Sequence, residues 1–288
     1  MKKTEKVLSI SIAAYNVEAF LEDTVSSLTG DKETLRKLDI LIVNDGSADR
    51  TGELARRLAQ QHPDSIRVID KENGGYGSTV NASLAAAEGI YYKLLDGDDR
   101  FDPANLRDFV LFLETADADL IVSPFCRVYG NEAVLADDHP EIGTKSERIS
   151  ALRLAVPVFQ MHELAVRTAA LRRLNSPIAE HCFYTDLEFV FYCLLASGTI
   201  ARFPRPVYRY RLGVDGQSVS LSGIRKHYRN LMTVLERVCR CYTERQGEQA
   251  PEKTDILADA LSNVFFQKCL QEGMSLFSHP AAGLRVHQ

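Results

Sequence analysis

The chain has 288 residues, of which 45% are apolar and 25% charged, with a formal net charge of -5 and a pI near 5.8. That composition suits a globular protein with a sizeable core, and its acidic balance argues against a nucleic-acid partner, which needs a basic patch or stripe. No run reaches the roughly 18 apolar residues of a membrane span, and Met1–Lys6 leads into a strand without a signal-peptide core, so a cytoplasmic location is expected.

Val7–Ala13 alternates Leu8, Ile10 and Ile12 with small residues and reads as a strand, and Phe20, Leu21, Val25 and Leu28 then recur at helical spacing until Gly30. The unit repeats. Asp39–Val43 is a second strand, Leu54–Ala59 the stripe of a second helix closed by His62-Pro63, and Ile66–Ile69 a third strand. Asn73–Ser78 reads as a flexible loop, and Val80, Leu84 and Ala87 mark a helix stopped by Gly89. Ile90–Leu95 is a fourth strand, Asp102-Pro103 caps a helix through Leu113, and Leu120–Val122 is a fifth strand. Strands alternating with helices predict a mostly parallel sheet covered on both faces, with ligands beyond the carboxyl ends of its strands.

Residues 130–149 are polar and acidic and read as a loop. Leu164–Val166 reads as a strand, Thr168 as the cap of a short helix, Tyr184–Glu188 as the opening of another helix, and Ile200–Phe203 and Val207–Arg211 as strands before a loop over Gly213–Ser220. Ile224, Tyr228, Leu231, Leu235, Val238 and Tyr242 recur at three and four, and 256–276 also reads as helix. Interleaved Arg225, Lys226, Arg229, Arg237 and Arg240 fit two uses of this tail: packing on the domain or a second subunit, or resting on an anionic membrane. The domains expected are 1–220, with halves 1–123 and 124–220, and a helical extension over 221–288. The six cysteines (Cys126, Cys182, Cys193, Cys239, Cys241 and Cys269) show no metal-finger spacing and are expected as reduced thiols.

The chemistry concentrates in Asp96-Gly97-Asp98-Asp99, where an apolar strand empties into an acidic turn. Mg²⁺ and Mn²⁺ want oxygen ligands, and Mg²⁺ takes only one or two carboxylates beside water and substrate phosphates. Neither G-x-x-x-x-G-K-[ST] nor G-x-G-x-x-G is present to cradle phosphates. The plain reading of the turn is a solvated Asp/Gly loop.

Ser9–Asn16, Val43–Asp49, Asn73–Gly75 with Asn81 and Ala87–Gly89, and Leu95–Asp99 together resemble the family 2 glycosyltransferases, in that family's order and spacing, over roughly residues 7–220. The resemblance implies the GT-A fold, an α/β architecture with a mostly parallel central sheet flanked by helices, here followed by a C-terminal helical extension. It implies a metal-dependent inverting transferase that uses Mn²⁺ or Mg²⁺ and a nucleotide-diphosphate sugar, with uridine the expected base. By the same resemblance Asp98 ligates the metal, Asp96 shares that role or holds the ribose, and Ala13, Tyr15, Asp45 and Asn73 line the nucleotide site. Tyr15 offers a ring to the base, and Asp45 an acceptor for the base imide or a ribose hydroxyl.

The catalytic base is placed at Asp186, where Thr185 stands for the family's usual Glu, with Glu188 as fallback; the alternative is that Asp186 only caps its helix. Arg209, Arg211 and Ser218 are placed to close over the diphosphate, the alternative for the arginines being strand salt bridges. His181, near Asp186, is weighed as a metal ligand against an ordinary surface residue. Thr79-Val80-Asn81 lacks the arginine many relatives carry, and the Q-x-x-R-W signature of processive synthases is absent. Transfer of single sugars to a glycan or lipid-linked acceptor, in cell-surface polysaccharide synthesis at the inner face of a membrane, is therefore expected. An inactive sugar-nucleotide-binding or assembly subunit stays open beside it. A sugar-phosphate nucleotidyltransferase would want a glycine-rich basic loop where Ala13-Ala14-Tyr15-Asn16 stands.

Overall fold

The computed structural model describes residues 5–137, 139–149, 159–212 and 221–245. Its first half is four strands and their helices: β1 (Leu8–Ala14), α1 (Leu21–Thr29), α2 (Lys32–Lys37), β2 (Leu38–Asp45), α3 (Thr51–Gln61), β3 (Ile66–Lys71), α4 (Tyr76–Ala86) and β4 (Tyr91–Asp96). β1 pairs in parallel with β2 and β4, and β2 with β3, so the loops after all four strands open on one rim. β1 and β2 carry almost only buried side chains, the pattern of strands covered on both faces.

The second half makes the sheet mixed. After β5 (Arg100–Phe101), α5 (Pro103–Thr115) and β6 (Leu120–Val122) come β7 (Phe125–Tyr129), β8 (Glu132–Ala136) and β9 (Glu147–Arg148). A 3-10 turn (Met161–Glu163) then leads into β10 (Leu164–Arg167), α6 (Thr168–Leu174), α7 (Thr185–Ala196), β11 (Thr199–Arg202), β12 (Tyr208–Leu212) and α8 (Leu221–Arg245). β10 runs antiparallel between β4 and β6, giving one eight-stranded sheet in the order β3-β2-β1-β4-β10-β6-β11-β9. A second, four-stranded sheet runs β5-β12-β7-β8 and abuts the end of β4.

Several local expectations change. The 130–149 stretch contains β8, which folds back on β7 through Gly130 in the left-handed region (φ 57), and also β9. The loop over 73–78 ends early, because α4 already begins at Tyr76. Gly89 does not end α4 by its conformation; a Cβ there would collide with the β1 backbone at Leu8 and Ser9. Thr168 is not a cap, since its hydroxyl donates to the Gly89 carbonyl at 2.6 Å. Asp102 does cap α5, accepting from Asn105 N at 3.1 Å. Ser218, the Gly213–Ser220 loop, the 256–276 helix and Cys269 lie outside the described residues, and the other five cysteines are free thiols. No helix among the described residues is long and apolar enough to cross a membrane.

Candidate active site

The acidic turn is built by close approach. Gly97 N donates to Ala13 O at 3.0 Å, and a Cβ on Gly97 would sit 2.7 Å from that oxygen and 2.9 Å from Val17, so only glycine lets β4 turn here. Asp99 N then bonds back to Asp96 O at 3.1 Å. The second sheet clamps the turn: the buried Asp99 carboxylate accepts from the Tyr208 hydroxyl and from Arg211 N, both at 2.6 Å, and Asp96 N donates to the same hydroxyl at 3.2 Å.

One oxygen of each of Asp96 and Asp99 and one ring nitrogen of His162 lie within 4.8 Å of one another. Asp96 Oδ1 and both His162 nitrogens are buried with no hydrogen-bond partner among the described residues. The imidazole is stacked between Phe125 and Tyr210, with centroids at 5.2 and 4.4 Å, and Lys93 on β4 fixes its backbone by donating to His162 O at 2.7 Å and Leu164 O at 3.1 Å. Burial, then the neighbouring Asp98 charge, raises the Asp96 carboxyl well above the usual carboxylate range; burial, then Asp96, does the same to Asp99. Asp98 is also raised, chiefly by burial, against the pull of Arg211. Burial drives Lys93 down to about 7 and His162 down to about 3. Orphaned ligand atoms among carboxylates that resist ionising are what a divalent cation would relieve, so the donor set fits one.

This differs from the expected pair. Asp96 is gathered with Asp99 and His162, while Asp98, on the same turn, lies near Arg211; the histidine at the acids is His162, which nothing in Gln160-Met161-His162-Glu163 signals. His181 instead donates its backbone N to Gly74 O.

On the rim beyond β1 to β3, Tyr15 stands 51% exposed, free to offer its ring, and Ala13 is half-buried where β1 meets Asp96. Asp45, expected at the nucleotide, is also engaged within the protein. Its buried carboxylate accepts from Gly74 N and Gly75 N, both at 2.9 Å, from Lys71 Nζ at 2.6 Å and from Ser78 Oγ at 3.3 Å. Oδ1 takes three of these bonds and Oδ2 the one from Gly75, so Asp45 holds the 73–78 loop against β2, and the exposed Asn73 adds a bond to Asp45 O at 3.0 Å. Arg209 and Arg211 share one side of β12. Arg209 lies 3.5 Å from Asp102, so the strand salt bridge describes it, while Arg211 reaches Asp23 at 2.8 Å, stacks over Phe20 and lies near Asp98.

Asp186 is exposed in the first turn of α7, where helix dipoles favour a negative side chain, and it is close enough to Asp96 to raise that carboxyl further. A strap over 177–182 leads to it. Asn81 fastens the strap through Ile178 N, Ile178 O and Glu180, and Ala179 O lies so close to Gly77 that no Cβ fits. Glu188 is no base: fully buried, it accepts from Ala179 N, the Tyr192 hydroxyl and Arg237 Nε at 2.9, 2.8 and 2.7 Å. Leu231, Val234, Val238 and Cys241 of α8 are buried, so over these turns the apolar stripe is spent on packing against α7.

A family model described as "Glycosyl transferase family 2" matches residues 9–174, more than half of the chain. The Bacillus subtilis (strain 168) protein described as uncharacterized glycosyltransferase EpsJ is 37% identical over 115 residues, 40% of this chain and 33% of that relative. The minor teichoic acid biosynthesis protein GgaB of the same strain is 29% identical over 118 residues, 40% of this chain and 13% of its own. The chain thus spans about a third or less of the length of these two relatives. Among solved structures, S. aureus TarS 1-349 in complex with UDP superposes with a TM-score of 0.73 at 19% identity, covering 96% of this chain and 76% of that one, a likeness of fold.

Proposed function

Since the chain belongs to glycosyl transferase family 2 and has the α/β fold of its GT-A members, we propose that it transfers a single sugar, with inversion, from a uridine-diphosphate donor to a hydroxyl of a glycan or lipid-linked acceptor in cell-surface polysaccharide synthesis. The observation that carries the reading is the nearness of two unlike acid sites: a largely buried group, Asp96 with Asp99 and His162, and the exposed Asp186 at a helix start, close enough to raise the Asp96 carboxyl. UDP in the TarS complex and teichoic acid in the GgaB description support the donor and the pathway class. Residues 1–220 carry this chemistry in the proposal, and α8, the described part of the extension, braces it.

A bound Mn²⁺ or Mg²⁺ would neutralise charge on the departing diphosphate, held by Asp96, Asp99 and His162 from the buried side, with Asp98 of the same turn as a further carboxylate ligand. Asp186 takes the proton of the acceptor hydroxyl as that oxygen forms its bond to the anomeric carbon on the face opposite the diphosphate, whose bond to the same carbon breaks. Arg211 lies where a phosphate would exchange for Asp23, and an arginine fork suits that exchange. Tyr15 stacks on the base, and Asp45 shapes the loop beside it.

The test is donor turnover with either metal and a defined acceptor. Asp186→Asn and Asp98→Ala should each lower kcat by at least about a hundredfold, the lower end of what a general base contributes. Wild-type transfer by both variants sinks the assignment, and metal-dependent UDP binding without transfer across a donor and acceptor panel makes the chain a binding subunit instead.

A further inference from the structure

Immediately before Asp186 the backbone is forced. His181 and Tyr184 both adopt left-handed conformations, φ 51 and 65, which are unfavourable for a non-glycine residue and persist where the surroundings over-determine them. What these residues deliver between them is an exposed ring. Phe183 keeps 43% of its surface open, and its back is stacked on His227 of α8 at 3.8 Å and 23°. Tyr228, 51% exposed, follows His227, and Arg229 Nε donates to its hydroxyl at 3.2 Å. His181 N bonds to Gly74 O, which ties the inner end of this segment to the 73–78 loop, while Asn230 holds Cys182 at 3.6 Å from the α8 side.

We propose that Phe183, backed by His227, is an acceptor subsite that takes the apolar face of a pyranose ring; the proposal rests on Asp186 being the base. Phe183 stands three positions before Asp186, so their Cα atoms lie within about 11 Å, the reach of a saccharide whose hydroxyl is at the carboxylate. A sugar ring has one flat face of C–H bonds and a rim of hydroxyls. The segment offers the complement to that flat face: a partly open aromatic ring held by a strained turn and by its stack on His227. A nucleotide base is the poorer occupant, because the rim loops after β1 to β3 already supply Tyr15 for it.

The chain contains no tryptophan, so Phe183→Trp installs a single local reporter. With UDP and Mn²⁺ present, methyl glycosides of glucose, galactose, mannose, rhamnose and N-acetylglucosamine are titrated, and saturable change in emission with at least one is expected. A flat response to the whole panel, in a variant that still shows a UDP-induced thermal shift, overturns the subsite. For the responding glycoside, Phe183→Ala should raise acceptor KM about tenfold more than donor KM, with Phe183→Tyr restoring it; equal changes in the two constants also overturn it. Were native protein to transfer no sugar at all, the proposed activity would fall, while the emission titration would still decide the subsite.

Discussion

Replacing Arg237 by Met tests whether α8 braces the site. Glu188 is fully buried, and Arg237, whose side chain is 35% exposed, is its one cationic hydrogen-bond donor besides a phenol and an amide. A hydrogen bond to a charged group contributes about 1.5–3 kcal/mol, and a buried carboxylate stripped of its cation costs more; the partial exposure of Arg237 argues for about 2 kcal/mol. For a chain of this size that is a fall in Tm of about 4–8 °C. The same guanidinium holds Pro177 O, and Glu188 holds Ala179 N, so the strap over Gly74–Gly77 should loosen and the UDP-induced thermal shift should shrink. Denaturant unfolding of Arg237→Met, Glu188→Gln and the double variant gives the coupling directly. Additivity within about 0.5 kcal/mol, or an Arg237→Met loss below that figure, refutes the brace.

Gly77→Ala drives a methyl into Ala179 O and should cost about 1–3 kcal/mol in denaturant melts, whereas Gly30→Ala, with open space around it, should not. His162→Phe keeps the stack between Phe125 and Tyr210 but deletes two unpartnered nitrogens, so the metal-free protein should melt higher and bind Mn²⁺ about tenfold more weakly by calorimetry; unchanged Mn²⁺ affinity removes His162 from the metal set. For pH, the folded Asp99 carboxyl sits above its unfolded value near 3.9, so the fold holds the extra proton and stability drops as pH rises through the raised pKa. Metal-free wild type should therefore lose stability relative to Asp99→Asn from about pH 5 towards pH 8, by at most about 1.4 kcal/mol per pH unit; a difference that grows the other way contradicts the raised pKa.

The parallel half of the sheet was legible because β1, β2 and β4 are largely apolar, buried runs ending in polar loop residues, and burial on both faces leaves that pattern little freedom. Of the second sheet only β12 was, as the run Val207–Arg211. β5 has two residues, and β7 and β8 mix charged and apolar side chains, because their register is set by pairing with one another and not by a periodic face. Asp96 and Asp186 could be singled out because a strand end and a helix start place them. The partners of Asp96 could not: Asp99 and His162 meet it only because Tyr208 and Arg211 pull the turn inward while Lys93 anchors the 3-10 turn.

The same contrast explains Asp45. Its position after β2 marks it for the rim, but whether a rim carboxylate faces a ligand or its own protein depends on what fills its lone pairs, and that is a matter of loop path. Here Gly74 and Gly75, backed by Lys71, reach it first. The donor loop is thus held from both sides: Asp45 from beneath, and from above the strap that Glu188 and Arg237 secure to α7 and α8. That strap runs on into the strained turn carrying Phe183 and Asp186. A displacement of α8 therefore reaches the nucleotide loop and the acceptor face through one continuous segment, so variants along α8 should change both binding events together, and variants at Phe183 only one.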